Sequence, residues 1–262
     1  MQRKRKGIFY WLTPVFVEII GQLVVQGMIE FRYMSRFPEN DISNISMYAA
    51  EITVLTALLL IPVMYFLYRR DCRDTEYQNK NRRSLQLNMI LYTVAAAAAL
   101  CVLTNIVIMI SGIQNLSQSY METAEALYSP TFTFRLVGIG IIVPIMEEMV
   151  FRILVYKRMR RTMGVKKAVI MSALVFGIMH GNLVQFVFAF AIGIMLAYLY
   201  EVSDHPLIPI VGHAAVNVTS LIFTEYHIFE RAFANLAGFF GMLTVSIFVV
   251  MLSMKRIINK NK

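Results

Sequence analysis

The chain has 262 residues, 58% of them hydrophobic, with a mean hydropathy of +0.60. A soluble domain averages roughly 45–50% apolar residues, so a water-soluble globular protein is excluded. The formal charge of +9 does not point to nucleic acid, because no basic stretch is interleaved with base-stacking aromatics on a polar face.

In chain order, apolar blocks of about 20 residues alternate with short polar stretches, the length a helix needs to cross a bilayer core of about 30 Å. The N-terminus, MQRKRKGIFYWLTPVFVEII, begins basic and continues apolar like a signal peptide. Its apolar run is long, holds Glu18 and Gln22, and shows no small-residue cleavage pattern, so it reads as an uncleaved first span. Spans are expected at 7–29, 46–68, 87–112, 133–156, 166–181, 183–201, 206–224 and 234–254. All should be helices, because backbone in lipid must satisfy its own hydrogen bonds. The fifth and sixth form a tight hairpin around Gly181 and Asn182. The alanine-rich tract 94–100 suits close helix packing. The expected fold is all-α: a single polytopic membrane domain over 1–262, with about eight transmembrane helices. Its motif-bearing core covers about 130–225, and spans 7–112 carry no recognisable motif. Cys72 lies in a basic loop and Cys101 in an apolar span, so neither a disulfide framework nor a cysteine metal site is readable.

Four basic clusters orient the spans. Arg3, Lys4, Arg5 and Lys6 precede the first. Arg69, Arg70, Arg73, Lys80, Arg82 and Arg83 separate the second and third. Lys157, Arg158, Arg160, Arg161, Lys166 and Lys167 separate the fourth and fifth. Lys255, Arg256, Lys260 and Lys262 follow the eighth. With eight spans all four clusters share one side, the cytosolic one by the positive-inside rule. Both termini are therefore expected in the cytosol.

Ionisable groups inside a span are costly and mark functional sites. The fourth expected span contains Glu147, Glu148 and Arg152; the fifth ends on Phe176 and His180; the seventh carries His213 and Asn217. At about 1.5 Å of rise per residue, Glu147, His180, His213 and Asn217 fall in one mid-depth layer. His213 and Asn217, four apart, share a helix face, and Glu148 and Arg152 are spaced for an ion pair. Glu147 points about 100° away from Glu148 and has no partner on its own helix, as suits a group that accepts and returns a proton. Glu18, Gln22 and Gln26 lie on one face of the first span and read as packing residues. Tyr198, Glu201, Asp204 and His205 sit at a boundary where polar residues are ordinary. Ser172, about two turns from His180, is left out of the candidate site.

These residues resemble a known family. EEMVFR (Glu147, Glu148, Arg152), FGIMH (Phe176, His180) and HAAVN (His213, Asn217) fit the EExxxR, FxxxH and HxxxN motifs of the CPBP family, which takes its name from CAAX prenyl proteases and bacteriocin-processing enzymes. The resemblance implies an eight-helix intramembrane glutamic endopeptidase acting on a membrane-embedded or lipid-anchored peptide or protein. It implies that Glu147 and His180 activate a water, that His213 and Asn217 stabilise the oxyanion, and that Glu148 and Arg152 support the site. A bacterial cell membrane, with the site open to the cytosolic side, is the expected location. No cofactor is expected. Three alternatives remain open at this point. One is a zinc metalloprotease using the same Glu and His residues, although HExxH is missing. Another is a proton-coupled transporter, although no inverted repeat is visible. The third is a non-enzymatic bacteriocin-immunity or regulatory protein.

Overall fold

The computed structural model describes residues 7–36, 48–73 and 85–259. Within them every regular element is helical: α1 (Ile8–Arg36), α2 (Ala49–Cys72), α3 (Leu87–Ser111), α4 (Gln118–Tyr128), α5 (132–163), α6 (Val165–Ile178), α7 (Leu183–Ser203), α8 (Leu207–Glu225), α9 (Ile228–Phe233) and α10 (Leu236–Asn259). The chain is a polytopic, all-α membrane protein. Helices α1, α2, α3, α7, α8 and α10 are each long and apolar enough to cross a membrane. Helix α6, with 14 residues, extends only about 21 Å. The basic residues expected at 3–6, 80–83 and 260–262 lie outside the described residues.

Two features differ from the expected layout. Helix α1 continues past its apolar stretch to Arg36, because Glu30, Arg32 and Arg36 are compatible with helix and Gln26 Nε2 donates to Glu30 Oε1 one turn on, at 2.8 Å. The expected loop 113–132 contains α4, started by Ser117, whose hydroxyl accepts the Tyr120 N–H at 3.3 Å. That is an ordinary N-cap.

Helix α5 is continuous but irregular, with π-helical stretches at Gly138–Ile142 and Met149–Tyr156. Pro144 explains the first. In the π register the Val143 N–H bonds the Gly138 carbonyl, so the Ile139 carbonyl would need an N–H from residue 144, and proline has none. Gly138 lets this stretch press on α2; a Cβ there would stand 2.6 Å from a Val54 methyl.

The bundle has two apolar cores. One joins α1, α2, α6 and the second π stretch, with Val150, Phe151, Leu154, Val155 and Phe176 fully buried. The other joins α3, α7, α8 and α10, where Ala96 and Ala97 of the alanine tract are buried against Leu196, Leu199 and Val216. Large apolar side chains such as Leu23, Phe31, Phe248 and Met251 face outward, as lipid contact requires.

Ion pairs clamp the basic end. Arg158, buried, gives Nε to Asp71 at 2.7 Å and Nη1 to the Tyr10 carbonyl at 2.7 Å. This ties α5 to α2 and α1. Glu201 accepts from the Tyr156 hydroxyl at 2.6 Å and from Arg160 at 3.1 Å, and Lys157 pairs with Asp204. Glu201 and Asp204 therefore hold α5 to α7 rather than merely marking a boundary.

Candidate active site

Each motif residue is placed by a local feature of its helix. Glu147 and Glu148 are adjacent on α5, between the two π stretches. Glu148 is wholly buried; Glu147 keeps 18% side-chain exposure. His180 follows the end of α6, in a turn that Gly181 closes at φ +75° and Asn182 continues by capping α7. His213 and Asn217 stand on one face of α8.

The side chains meet around His213. Its Nδ1 lies 2.8 Å from Glu148 Oε1, and its Nε2 lies 3.5 Å from Glu147 Oε2. One imidazole thus bridges both carboxylates. Arg152 Nη1 reaches the same Glu148 oxygen at 3.2 Å, and both side chains are 0% exposed. Taking two charges from water costs several kcal/mol per ion, and this pair offsets that cost with a third group, His213. The Arg152–Glu148 contact is an ion pair only, and none of the three guanidinium nitrogens makes a hydrogen bond among the described residues. The guanidinium lies instead over the Phe176 ring, Cζ 4.2 Å from the centroid, a desolvated cation–π contact.

Phe176 organises the layer. Its ring meets His180 edge-on at 4.8 Å, His213 at 5.5 Å and Phe151 at 5.0 Å between centroids. Its carbonyl oxygen lies 2.8 Å from His180 Nδ1. A carbonyl only accepts, so Nδ1 carries the hydrogen, and in the neutral ring Nε2 keeps its lone pair.

Asn217 closes the other wall. Its Nδ2 donates to the Ile139 carbonyl at 2.9 Å, the carbonyl that Pro144 leaves without a helical partner. The bond fixes the plane of the amide. It uses one of the two Nδ2 hydrogens and leaves the second to point elsewhere.

Glu147, His180, His213 and Asn217 line one cavity of about 430 Å³. The expected common layer is therefore present as a shared space. The cavity also takes in residues that the sequence reading placed elsewhere. Glu18 and Gln22 of α1 line it, as do Tyr120 and Thr123 of α4. Glu18 was read as a packing residue, and it is buried, but one carboxylate oxygen has no hydrogen-bond partner among the described residues. Gly193 of α7 is a further addition. A Cβ there would stand 3.2 Å from Arg152 Nη2 and 3.1 Å from the Ala173 Cβ, so its missing side chain makes room for the guanidinium. A glycine inside an apolar span was the signal for it.

The cavity extends along several helices. Its lining comes from the start of α2 (Ala49, Thr53), the end of α3 (Asn105, Ile108), α4, and the start of α7 (Val184, Gln185). All lie toward the end opposite Arg69, Lys157 and Lys167. Helices α1 and α5 contribute at Glu18 and Glu147, each ten residues from the basic end of its span, or about 15 Å.

No group of three or more His, Cys, Asp and Glu side chains forms a candidate metal site among the described residues. Both His213 nitrogens already face carboxylates.

Residues 129–219 match the model of the Rce1-like family, described as type II CAAX prenyl endopeptidase Rce1-like. Over this segment the chain is similar to the CPBP family of membrane proteases. The matched segment runs from the start of α5 to the face of α8 that carries Asn217, so it includes all three motifs. The chain is also 21% identical over 220 residues to a Bacillus subtilis (strain 168) protein named "Putative membrane peptidase YdiL", an alignment covering 81% of this chain and 88% of that one. No solved structure matches. What this integral membrane protein shares with that family is the segment from α5 to α8, where the motif residues lie.

Proposed function

We propose that this protein is a CPBP-type peptidase that hydrolyses a peptide bond in a membrane-embedded or lipid-anchored peptide, using a water activated by Glu147 and His180 and no metal. The observation that carries the reading is the cavity shared by the Glu147 carboxylate, an imidazole with a free Nε2, His213 and Asn217. A carboxylate and an imidazole lone pair facing one water are competent to remove its proton. The water oxygen then adds to the substrate carbonyl carbon, and negative charge moves to the carbonyl oxygen. The second Asn217 N–H and the His213 imidazole are the donors for that oxyanion, a role that can be worth about 3–4 kcal/mol per donor. Glu148, 2.8 Å from His213 Nδ1, holds the ring in orientation. When the C–N bond breaks, the proton taken from water passes to the leaving nitrogen. Arg152 and Phe176 hold Glu148 and His213 in place and touch no reacting atom.

Substrate and water enter from the end opposite the basic clusters, the outer face of a bacterial cell membrane under the positive-inside rule. Helix α4 roofs that entrance. The test uses purified protein in liposomes with a library of lipid-anchored, internally quenched peptides. The wild type should release fluorescence in the presence of a strong chelator, and His180→Ala should lose about 10²–10⁴-fold in rate, the usual worth of general base catalysis. Cleavage that stops with chelator, or survives His180→Ala, overturns the reading.

A further inference from the structure

The family match begins at residue 129, yet the cavity has a wall outside it. Helix α1 passes beside α5, and its register there is fixed twice. At the basic end Arg158 binds the Tyr10 carbonyl at 2.7 Å and stacks on the Tyr10 ring, with Cζ 4.6 Å from the centroid. Two turns past Pro14, Gly21 sits so close to α2 that a Cβ would stand 2.8 Å from Leu60. Between these anchors Glu18 is set at the depth of Glu147. It is 7% exposed, it lines the same cavity as Glu147, His180 and Asn217, and its Oε2 has no hydrogen-bond partner among the described residues.

A packing residue needs no carboxyl group in this position. Burying an unpaired carboxylate in an apolar medium is so costly that the group neutralises instead. Around it stand Glu147, which is also acidic, His180, and His213, which is engaged by Glu148 and Glu147. The buried cation of the site, Arg152, is committed to Glu148. A carboxylic acid can donate a hydrogen bond that a carboxylate cannot.

We propose that Glu18 is a positioning residue of the peptidase cavity, a neutral carboxylic acid whose O–H donates into the cavity water that it shares with Glu147 and His180. It holds that water and the Glu147 carboxylate in register without itself meeting the substrate. The inference rests on the peptidase reading for its purpose, but its test does not need a substrate. Infrared spectra of the purified protein in nanodiscs at neutral pH are compared for the wild type, Glu18→Gln and Glu147→Gln, each first shown to unfold at the wild-type temperature. The wild type should show a protonated-carboxyl C=O stretch that Glu18→Gln removes and that Glu147→Gln shifts in frequency. No such band, or a band that Glu18→Gln leaves in place, overturns the assignment. A band removed by Glu18→Gln but unmoved by Glu147→Gln overturns the coupling to Glu147. Since the spectra measure no turnover, failure there is distinct from failure of the peptidase reading, which would appear as cleavage insensitive to Glu147→Gln. A Glu18→Leu variant adds a kinetic arm. It should fold at least as well as wild type yet lose about tenfold or more in kcat at unchanged KM, with Glu18→Gln retaining most activity as a donor. Full activity in Glu18→Leu would leave Glu18 a packing residue.

Discussion

His213 Nδ1 stands 2.8 Å from Glu148 Oε1, and the same imidazole presents Nε2 to Glu147 at 3.5 Å. The two adjacent glutamates are therefore linked through a residue 65 positions away, and their roles divide by burial. Glu148 has no exposed surface and also holds Arg152; Glu147 opens on the cavity.

That division gives the first prediction. Glu148→Gln removes a charge from a buried triad and strands Arg152. Breaking a buried pair costs about 3–5 kcal/mol, so thermal unfolding in detergent should move down sharply and folded yield should fall. Glu147→Gln should unfold at the wild-type temperature.

Asn217 is predicted to carry two separable functions. Asn217→Ala leaves the Ile139 carbonyl without its 2.9 Å donor, a loss of about 1–3 kcal/mol for an unsatisfied buried acceptor. It also removes an oxyanion donor, for a fall of about 10²–10³ in kcat. Asn217→Asp replaces the donor by an acceptor and should be no better. Unfolding and steady-state kinetics on both variants check this. A wild-type kcat in Asn217→Ala would remove Asn217 from the oxyanion role.

Gly193→Val should injure the site from a distance. Its Cβ would already crowd Arg152 Nη2 at 3.2 Å and Ala173 at 3.1 Å, and overpacking of this kind costs about 1–3 kcal/mol. The guanidinium must move off Phe176, so a lowered unfolding temperature is expected together with lost activity. Unchanged values for both would show that the close approach of α7 to α5 is not needed.

Side-specific labelling checks the access side. Cys72 is native to the basic end, and the buried Cys101 is shielded. In intact cells a membrane-impermeant maleimide should label Thr123→Cys on α4 and leave Cys72 unlabelled until the membrane is opened. Labelling of Cys72 alone in intact cells would reverse the orientation.

Much of this was readable from residue spacing. The apolar blocks gave the helices to within a few residues at most ends, since length and hydropathy decide a span directly. The four cavity residues were legible because ionisable groups are rare in spans and because His213 and Asn217 share a face. Other parts depend on contacts between helices that carry no local period. The bridge from His213 to both glutamates is of this kind, and so is the space that Gly193 leaves for Arg152. Nothing within α1 shows that Glu18 shares a cavity with Glu147. The cap at Ser117 was a visible signal for α4, but a polar 11-residue helix is hidden when only apolar stretches are sought. The π stretch at Gly138–Ile142 follows from Pro144 only once the acceptor left over at Ile139 is seen to meet Asn217.

If Glu147 drives peptide-bond hydrolysis, its loss changes the peptides that a cell membrane holds. Cells expressing the wild type or Glu147→Gln at matched membrane levels are compared for membrane-associated peptides and their new termini. The predicted result is a set of termini present with the wild type and lost with Glu147→Gln, while the variant stays inserted and folded. Identical termini in the two strains would contradict the account.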